Sequence, residues 1–125
     1  MKKIISTNNA PAAIGTYSQA IMAGDTIYVS GQLPIDPATG AFPEGGAREQ
    51  FVQIFKNLQA ILAEAGCSFD NVVKTTMYLA NIADFATLNE VYAQYFKEPY
   101  PARVAFQAAA LPKAAICEID VIAVK

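Results

Sequence analysis

The order of hydrophobic patterns in this chain predicts an α+β fold: one two-layer domain in which two helices pack on one face of a mixed β-sheet. Strand-like segments occur near both ends and in the middle of the chain, and two longer segments with helical periodicity separate them. The chain has 125 residues and no internal repeat or linker, so residues 1–125 are expected to form a single domain. The other face of the sheet has no helix left to cover it.

A hairpin and a long loop are predicted in the first third of the chain. Residues 17–22 and 26–30 have strand-like composition, and Ala23-Gly24-Asp25 between them suits a tight turn. Three prolines and three glycines between Pro34 and Gly46 indicate a loop. The first nine residues contain two lysines and two isoleucines and then turn polar, so no strand or helix is assigned to them.

From Arg48 to Ala65 the pattern changes to that of an amphipathic helix. Apolar residues recur at intervals of three and four, and Gly66 stands at the position where many helices end on a glycine. The apolar stripe consists of Phe51, Ile54, Phe55, Leu58, Ile61, Leu62 and Ala65.

The second half of the chain is predicted to form a strand, a helix and two more strands. Val72–Leu79 is rich in β-branched residues, which favour strands. A second helix is expected from Asp84, a good N-cap, and must end before Pro99. Its apolar stripe consists of Phe85, Leu88, Val91, Tyr92 and Tyr95. Residues Arg103–Ala108 and Ile116–Val124 then have the patterns of strands.

The composition favours a homo-oligomer. Hydrophobic residues make up 54 % of the chain and charged residues only 16 %, whereas a soluble domain usually has about 25 % charged residues. In the last strand, apolar residues fall on both faces, since Ile119 and Val121 alternate with Ile122 and Val124. Both faces therefore need a packing partner, and contact between subunits supplies one for the face without helices.

The net charge and the cysteine content limit which binding partners and which cellular location are expected. The net charge is −2 and most lysines are scattered, so no nucleic-acid partner is predicted. No apolar run approaches the ~18 residues of a membrane helix, and no signal peptide is recognisable. We therefore expect a cytoplasmic location and no membrane partner. Cys67 and Cys117 are expected to be free thiols, with Cys117 in the core.

Arg103 and Glu118 are the strongest candidates for functional residues, because each stands in an otherwise apolar strand segment. Desolvating an unpaired charge is costly, so each needs a partner. In one interpretation Arg103 forms an ion pair across the sheet with Glu118 or Asp120. In the other, Arg103 binds a substrate carboxylate through two parallel N–H groups. Glu118 then transfers a proton, provided that burial raises its pKa.

Other polar residues have a structural interpretation beside a functional one. Ser30 and Gly31 stand at the end of a predicted strand. They are either an ordinary transition from strand to loop or a place where backbone N–H groups approach a ligand closely. The simplest interpretation of Tyr17 is a packed aromatic side chain with a satisfied hydroxyl. Asn89 is most simply a surface residue of the second helix, and Asp120 a solvated or interface charge.

The residue inventory excludes several reaction types. Without histidine there is no Ser-His or Cys-His nucleophile pair, and the usual zinc ligand sets are missing. Gly45-Gly46 lacks the lysine and the spacing of a phosphate-binding loop. No lysine stands in an obvious apolar pocket where it would form a Schiff base. We therefore expect a reaction without metal or cofactor.

Stretches along the whole chain match one family of proteins. They are, in order, Ala10–Gly15, Tyr17–Gln19, Ser30–Pro34, Asn57-Leu58, Ala65-Gly66, Val73–Thr76, Phe85–Tyr92, Pro101–Arg103, Leu111–Lys113, Glu118-Ile119 and Ile122–Val124. With these stretches the chain resembles the YjgF/RidA family of reactive-intermediate (imine) deaminases, also described as endoribonuclease L-PSP-like. The resemblance implies a chorismate-mutase-like α+β fold, assembled as a homotrimer with clefts between subunits.

The resemblance also implies an activity. Family members with the active-site arginine hydrolyse 2-imino acids, which are tautomers of enamines such as 2-aminoacrylate, to 2-keto acids and ammonia. The arginine that binds the substrate carboxylate matches Arg103, and the glutamate that handles the attacking water matches Glu118. The family's other cleft positions fall on Tyr17, Ser30, Gly31, Asn89 and Ala105, of which the last is cysteine in many members.

Two other functions stay open from the sequence. One alternative is a regulatory module that binds a small keto acid or amino acid without turnover. RNA cleavage has been attached to relatives, but the acidic balance and the missing basic patch argue against it here. The deaminase interpretation requires Arg103 and Glu118 to converge on one cleft between subunits. A direct ion pair, or side chains on opposite faces of the sheet, would count against it.

Overall fold

A computed structural model describes residues 1–125 and confirms the predicted α+β architecture, with two helices and one mixed sheet. The strands are β1 (Lys2–Ile5), β2 (Ala20–Ala23), β3 (Thr26–Gln32), β4 (Val72–Leu79), β5 (Ala102–Gln107) and β6 (Cys117–Val124). The helices are α1 (Ala47–Glu64) and α2 (Phe85–Tyr95). The order across the sheet is β1-β2-β3-β6-β4-β5. Only β4 and β5 run parallel to each other.

The parallel pair explains why α2 lies beside the edge of the sheet. Two parallel strands cannot be joined by a tight hairpin, so the chain must cross from the end of β4 back to the start of β5. Helix α2 makes this crossing and packs against α1. The edge strand β5 is consequently placed next to one flank of α2.

The hydrophobic core lies between the sheet and the two helices. On β6, alternate side chains are buried as the sequence predicted, namely Cys117, Ile119, Val121 and Ala123. Phe55 of α1 is at the centre of an aromatic group that consists of Phe69, Tyr92, Tyr95 and Phe96. Both cysteines are free, as predicted. We call this side of the sheet the helix face.

Helix α1 begins and ends within one residue of its predicted bounds. Gly66 has a φ angle of +78°, which L side chains rarely adopt, so the glycine suits this position. The N–H of Gly66 donates to the carbonyl of Ala63, and the N–H of Cys67 donates to that of Leu62. These two bonds close a Schellman motif, which ends the helix as the sequence predicted.

Two predictions in the first third of the chain are wrong. Strand β1 was not predicted, because only Ile5 of its four residues is buried and the periodic signal is therefore weak. Strand β2 begins at Ala20 rather than at Tyr17. The reason is Gln19, whose buried side-chain amide bonds to the backbone of Thr7 and Pro11 and keeps the preceding residues in a loop.

The predicted N-cap of α2 is also wrong in its details. Asp84 does precede the helix, but its side chain makes no capping hydrogen bond. The carboxamide of Asn81 instead accepts from the N–H of Ala83 and caps a short 3₁₀ turn at Ile82–Asp84. The helix therefore continues from a turn that is already capped.

The second face of the sheet is open in a single chain, and we call it the open face. Large apolar side chains remain exposed on it, namely Ile4, Tyr28, Val104, Phe106 and Val124. It also carries the half-buried Lys74, Glu118 and Asp120. Neither helix of the protein has the length and apolar character that a membrane span requires.

Candidate functional site

Arg103 lies on the edge strand β5 with its side chain on the helix face. Its register partner on β4 is Thr75, which is buried against the helices. Nη1 of Arg103 donates to Oδ1 of Asn89 at 2.7 Å. Its guanidinium carbon lies 5.2 Å from the ring centre of Phe85 and 5.0 Å from that of Tyr92. Helix α2 thus holds the guanidinium in place while the residue stays exposed.

The periodicity of α2 produces this arrangement. Phe85, Asn89 and Tyr92 are spaced by four and three residues, so they share one flank of the helix. The two aromatic rings attract the cation through their faces. The amide oxygen of Asn89 uses one of the five guanidinium donors and brings no negative charge. The positive charge of Arg103 therefore remains available to an anion.

Two hollows at the protein surface meet at Arg103. The larger has a volume of about 540 Å³ and is lined, besides Arg103, by Asn89, Tyr92, Ala93, Tyr100 and Pro101. The second has a volume of about 410 Å³ and is lined by Ile82, Phe85 and Ala105 next to the guanidinium. A small acid bound by its carboxylate at Arg103 has polar walls on one side and apolar walls on the other.

Glu118 lies on β6, in the interior of the sheet, and points to the open face. Its neighbours Cys117 and Ile119 are buried in the core, so the intervening side chain must point away from it. Burial raises the pKa of the Glu118 carboxyl, and the nearby negative charge of Asp120 raises it further. The carboxyl keeps its proton to higher pH than an ordinary glutamate, which suits a group that both accepts and donates a proton.

Gly31 makes room for this carboxyl. The register between β3 and β6 shifts between Val29 and Gln32, so the backbone of β3 is irregular beside Glu118. A Cβ atom at position 31 would collide with Oε2 of Glu118. A side chain at position 31 would force the Glu118 side chain to move, so the glycine leaves room for the carboxyl in its present position, an explanation that the sequence did not suggest.

The two candidate catalytic side chains do not meet within one chain. Arg103 lies on the helix face and Glu118 on the open face of the same sheet, which is the arrangement that would count against the deaminase interpretation, so that interpretation fails for a site built within one chain. The interpretation that Arg103 forms an ion pair with Glu118 or Asp120 is therefore wrong. Asp120 instead accepts a hydrogen bond from the hydroxyl of Tyr78. A site that uses both Arg103 and Glu118 must take them from two different copies of the chain.

The other residues implied by the resemblance divide between these two places. Asn89 is an exposed residue of α2, as its interpretation as a surface residue requires, and its side chain also accepts a hydrogen bond from Arg103. Ser30 adjoins Gly31, and its hydroxyl donates to the carbonyl of Ser18 at 2.6 Å. Tyr17 is 54 % exposed in the preceding loop, so its interpretation as a packed aromatic residue is wrong.

We name the two places by their charged residues. The arginine half-site comprises Arg103, Asn89, Ala105, Phe85 and Tyr92. The glutamate half-site comprises Glu118, Gly31, Ser30, Asp120 and Tyr78. The contacts that Phe85, Tyr92 and Tyr78 make with residues of the two half-sites were not predicted from the sequence. For Phe85 and Tyr92 a signal exists, since a polar Asn89 interrupts their apolar stripe at helical spacing. For Tyr78 there is none, because its partner is 42 residues away along the chain.

The fold and the two half-sites define a small α+β protein with the groups needed to bind a small carboxylic acid and to move a proton. The family model described as endoribonuclease L-PSP matches residues 7–125. The chain belongs to this family, the YjgF/RidA family, as the resemblance predicted.

Relatives are similar over nearly their whole length. The 2-iminobutanoate/2-iminopropanoate deaminase of Rattus norvegicus is 55 % identical over 125 residues, which cover 100 % of this chain and 91 % of the relative. The deaminase of the same name from Homo sapiens is 52 % identical with the same coverage. Among solved structures, RidA from the Antarctic bacterium Psychrobacter sp. PAMC 21119 is 49 % identical with a TM-score of 0.94, covering 98 % of this chain and 99 % of that one. TdcF from E. coli with bound serine is 42 % identical with a TM-score of 0.93, covering 98 % of both chains.

Proposed function

We propose that this protein is a 2-iminobutanoate/2-iminopropanoate deaminase, which hydrolyses 2-imino acids to 2-keto acids and ammonia without a cofactor. The observation that carries the proposal is the prepositioned, exposed and unneutralised guanidinium of Arg103. The mammalian deaminases support it through their identity of 52–55 % over the whole chain. The serine bound to TdcF is also a small molecule with one carboxylate and one amine.

Arg103 binds the substrate carboxylate. Its guanidinium is fixed by Asn89 and by two aromatic rings, so little side-chain freedom is lost when a substrate binds. Two parallel N–H groups match the two carboxylate oxygens, and each charge-assisted bond contributes about 1.5–3 kcal/mol. Binding at this point fixes the imine carbon at a set distance from the arginine, which is how positioning accelerates a reaction.

Glu118 moves the proton. In its ionised form it accepts a proton from water while the water oxygen attacks the carbon of the protonated imine, whose nitrogen becomes a neutral amine. It then gives that proton to the amine, the C–N bond breaks and ammonia leaves. The hydroxyl group left on the carbon passes its proton to the Glu118 carboxylate as the carbonyl group of the 2-keto acid forms, and this proton goes on to the ammonia or to solvent. The pKa of Glu118, raised by burial and by Asp120, places both protonation states closer to neutral pH.

The assembly supplies the complete site. The chain assembles as a homotrimer in which the arginine half-site of one subunit faces the glutamate half-site of the next. Two observations support this part of the proposal. The half-sites lie on opposite faces of one sheet, and the open face exposes several large apolar side chains that a subunit contact would cover. The cytoplasmic location and the absence of a nucleic-acid partner stay predictions from the sequence.

The two arginines of the chain provide a matched test of the activity. Arg103→Ala is expected to lower kcat/KM by at least about 100-fold, because two charge-assisted hydrogen bonds to the substrate are lost. Arg48→Ala removes the same side chain from an exposed ion pair with Glu90 and is expected to keep most of the activity. The measurement is the formation of 2-keto acid above the spontaneous rate, with an amino-acid oxidase or a threonine dehydratase supplying the imine. Full activity of Arg103→Ala would contradict the proposal, and saturable binding without any acceleration would identify a binding module instead.

Mixing two inactive variants tests whether the site is shared between subunits. Arg103→Ala and Glu118→Gln chains are unfolded, mixed in equal amounts and refolded together. With random assembly, a quarter of the clefts between subunits combine one intact Arg103 with one intact Glu118, so about a quarter of the wild-type activity should return. Each variant refolded alone is the control. A mixture as inactive as its components would contradict a shared site.

A further inference from the structure

The glutamate half-site contains a second carboxylate that the proposed mechanism does not use. Asp120 follows Glu118 by two residues on β6, so both side chains point to the open face. Both residues are half-buried. Two carboxylates side by side on a partly desolvated surface repel each other, and an arrangement of this kind needs a group that holds one of them in place.

Tyr78 is that group. It lies on β4 directly opposite Glu118 in the strand register, and its hydroxyl reaches diagonally to Asp120, donating to Oδ2 at 3.0 Å. The ring of Tyr78 is held in turn by Phe106 of β5, with ring centres 5.2 Å apart and an edge-to-face angle of 84°. Burial raises the pKa of the Tyr78 hydroxyl, and its hydrogen bond to Asp120 raises it further, so the hydroxyl stays a neutral donor.

We propose that Tyr78 and Asp120 are positioning residues for Glu118, with the Tyr78 hydroxyl fixing the Asp120 carboxylate beside Glu118 on the open face. The proposal rests on the proposed deaminase function and deepens it. The Glu118 carboxyl lies against Gly31 on one side, and Tyr78 stands opposite it in the strand register on the other. The fixed Asp120 carboxylate keeps its negative charge next to Glu118, which favours the protonated form of Glu118.

The other charged groups on this face do not cancel the effect. Lys74 of β4 shares the open face, but its amine forms no ion pair with Asp120 or Glu118. Tyr28 of β3 is the remaining titratable side chain on the strands beside β6, and it is half exposed. On β5 the residues of this face are Val104 and Phe106, which carry no charge. Within the chain, Asp120 is therefore the nearest charge that acts on Glu118.

The consequence concerns the second half of the reaction. After Glu118 has taken a proton from water, it must still hold that proton when the amine is ready to leave. A fixed negative charge nearby favours the protonated form of Glu118 and thus keeps the acid available for this step. Without that charge, Glu118 would accept the proton less readily, and the departure of ammonia would become slower.

Two conservative variants separate the charge from the hydrogen bond. Asp120→Asn removes the charge but keeps an oxygen that accepts from Tyr78. Tyr78→Phe removes only the hydroxyl and keeps the ring against Phe106. Asp25→Asn, at an exposed turn, changes the net charge by the same amount as Asp120→Asn and is the matched control.

The readout is the titration of Glu118 itself, followed by NMR of protein labelled with ¹³C at the side-chain carboxyls of its six glutamates. Glu118→Gln assigns the signal. Asp120→Asn is expected to move the Glu118 midpoint to lower pH, and Tyr78→Phe to move it in the same direction by less. Tyr78→Phe should also lower kcat by about tenfold, the lower end of what one hydrogen bond to a charged group contributes. Asp25→Asn should leave the midpoint where it is.

The outcomes separate this inference from the function on which it rests. Equal Glu118 midpoints in the wild type, Asp120→Asn and Asp25→Asn, in a protein that hydrolyses imines, would overturn the positioning role and leave the deaminase function standing. A wild-type protein that does not accelerate imine hydrolysis would refute the function itself, whatever the titrations show. A shift in Asp120→Asn together with a lower kcat in Tyr78→Phe supports the proposal.

Discussion

The two faces of the sheet give their side chains different environments, and two neighbouring residues of β6 show the difference most directly. Cys117 on the helix face is fully buried, and burial raises the pKa of its thiol to about 12. Glu118, the next residue, is half-buried on the open face, and the pKa of its carboxyl is raised by burial and by Asp120. Both groups favour their protonated forms, and with a pKa of about 12 the thiol stays protonated near neutral pH. The carboxyl is the group that the proposed mechanism uses for proton transfer.

The contrast indicates that the helix face provides stability, whereas the open face carries the carboxyl to which the proposed mechanism gives the proton transfer. On the helix face the one buried polar side chain of β4, Thr75, is satisfied by the hydroxyl of Tyr92. On the open face Asp120 accepts a hydrogen bond from the hydroxyl of Tyr78. Arg103 is the exception, because it belongs to the helix face yet remains exposed at the edge strand. This edge position is what allows a helix-face residue to reach a ligand.

The largest predicted effect tests the helix face. Phe55→Ala removes the ring that contacts four other aromatic side chains and is expected to lower the free energy of unfolding by about 4 kcal/mol. The control on the open face is Phe106→Ala, whose ring is 45 % exposed in a single chain and packs edge-to-face against Tyr78. Its expected cost to the folding of a single chain is below about 2 kcal/mol, and a further loss that depends on protein concentration would report the proposed subunit contact. Urea denaturation at a series of protein concentrations separates the two contributions, and equal losses from Phe55→Ala and Phe106→Ala at the lowest concentration would show that the faces do not differ as described.

Local signals predicted the elements in which those signals are strong. Val72–Leu79 was predicted to the residue from its β-branched composition, and α1 to within one residue at each end from its helical periodicity. Periodicity failed at β1, where a single buried residue, Ile5, gives no period to detect. Residue preference failed at Asp84, because the geometry of the preceding turn decides which side chain caps.

The candidate site residues were proposed from the sequence, whereas their arrangement was not predicted from it. The alternation within β6 correctly separated Glu118 and Asp120 from Cys117. The face on which Arg103 lies depends on the register between β4 and β5, which puts Arg103 opposite the buried Thr75. A sequence pattern gives the period of one strand but not its register against another strand. For the same reason the Tyr78–Asp120 hydrogen bond had no signal in the sequence.

The smallest predicted effect tests the open face through stability and pH. The pKa of Glu118 is raised in the folded protein, so the folded state binds its proton more tightly than the unfolded state does. The contribution of this proton binding to the free energy of unfolding is fully present below 4.5, the ordinary pKa of glutamate. It is lost as the pH rises through the pKa of Glu118 in the folded protein. Glu118→Gln removes this loss, because the amide stays neutral at every pH. The variant should therefore have a higher Tm than the wild type at pH values above the folded pKa, and the difference should shrink as the pH falls towards 4.5.

Glu44→Gln is the control for this comparison, because it removes one carboxylate from an exposed position in the loop before α1. Thermal unfolding of the three proteins across the pH range measures the effect, which should be smaller than that of Phe55→Ala. A Glu118→Gln variant that is less stable than the wild type at neutral pH would mean that the ionised carboxylate is well solvated or paired in the assembled protein. In that case the polar groups of the open face would have hydrogen-bond or charge partners as complete as those of the helix face. If the predicted gain is found, the protein maintains a destabilising carboxylate at a position where a neutral side chain would fold better, and that cost is the expected mark of a group kept for proton transfer.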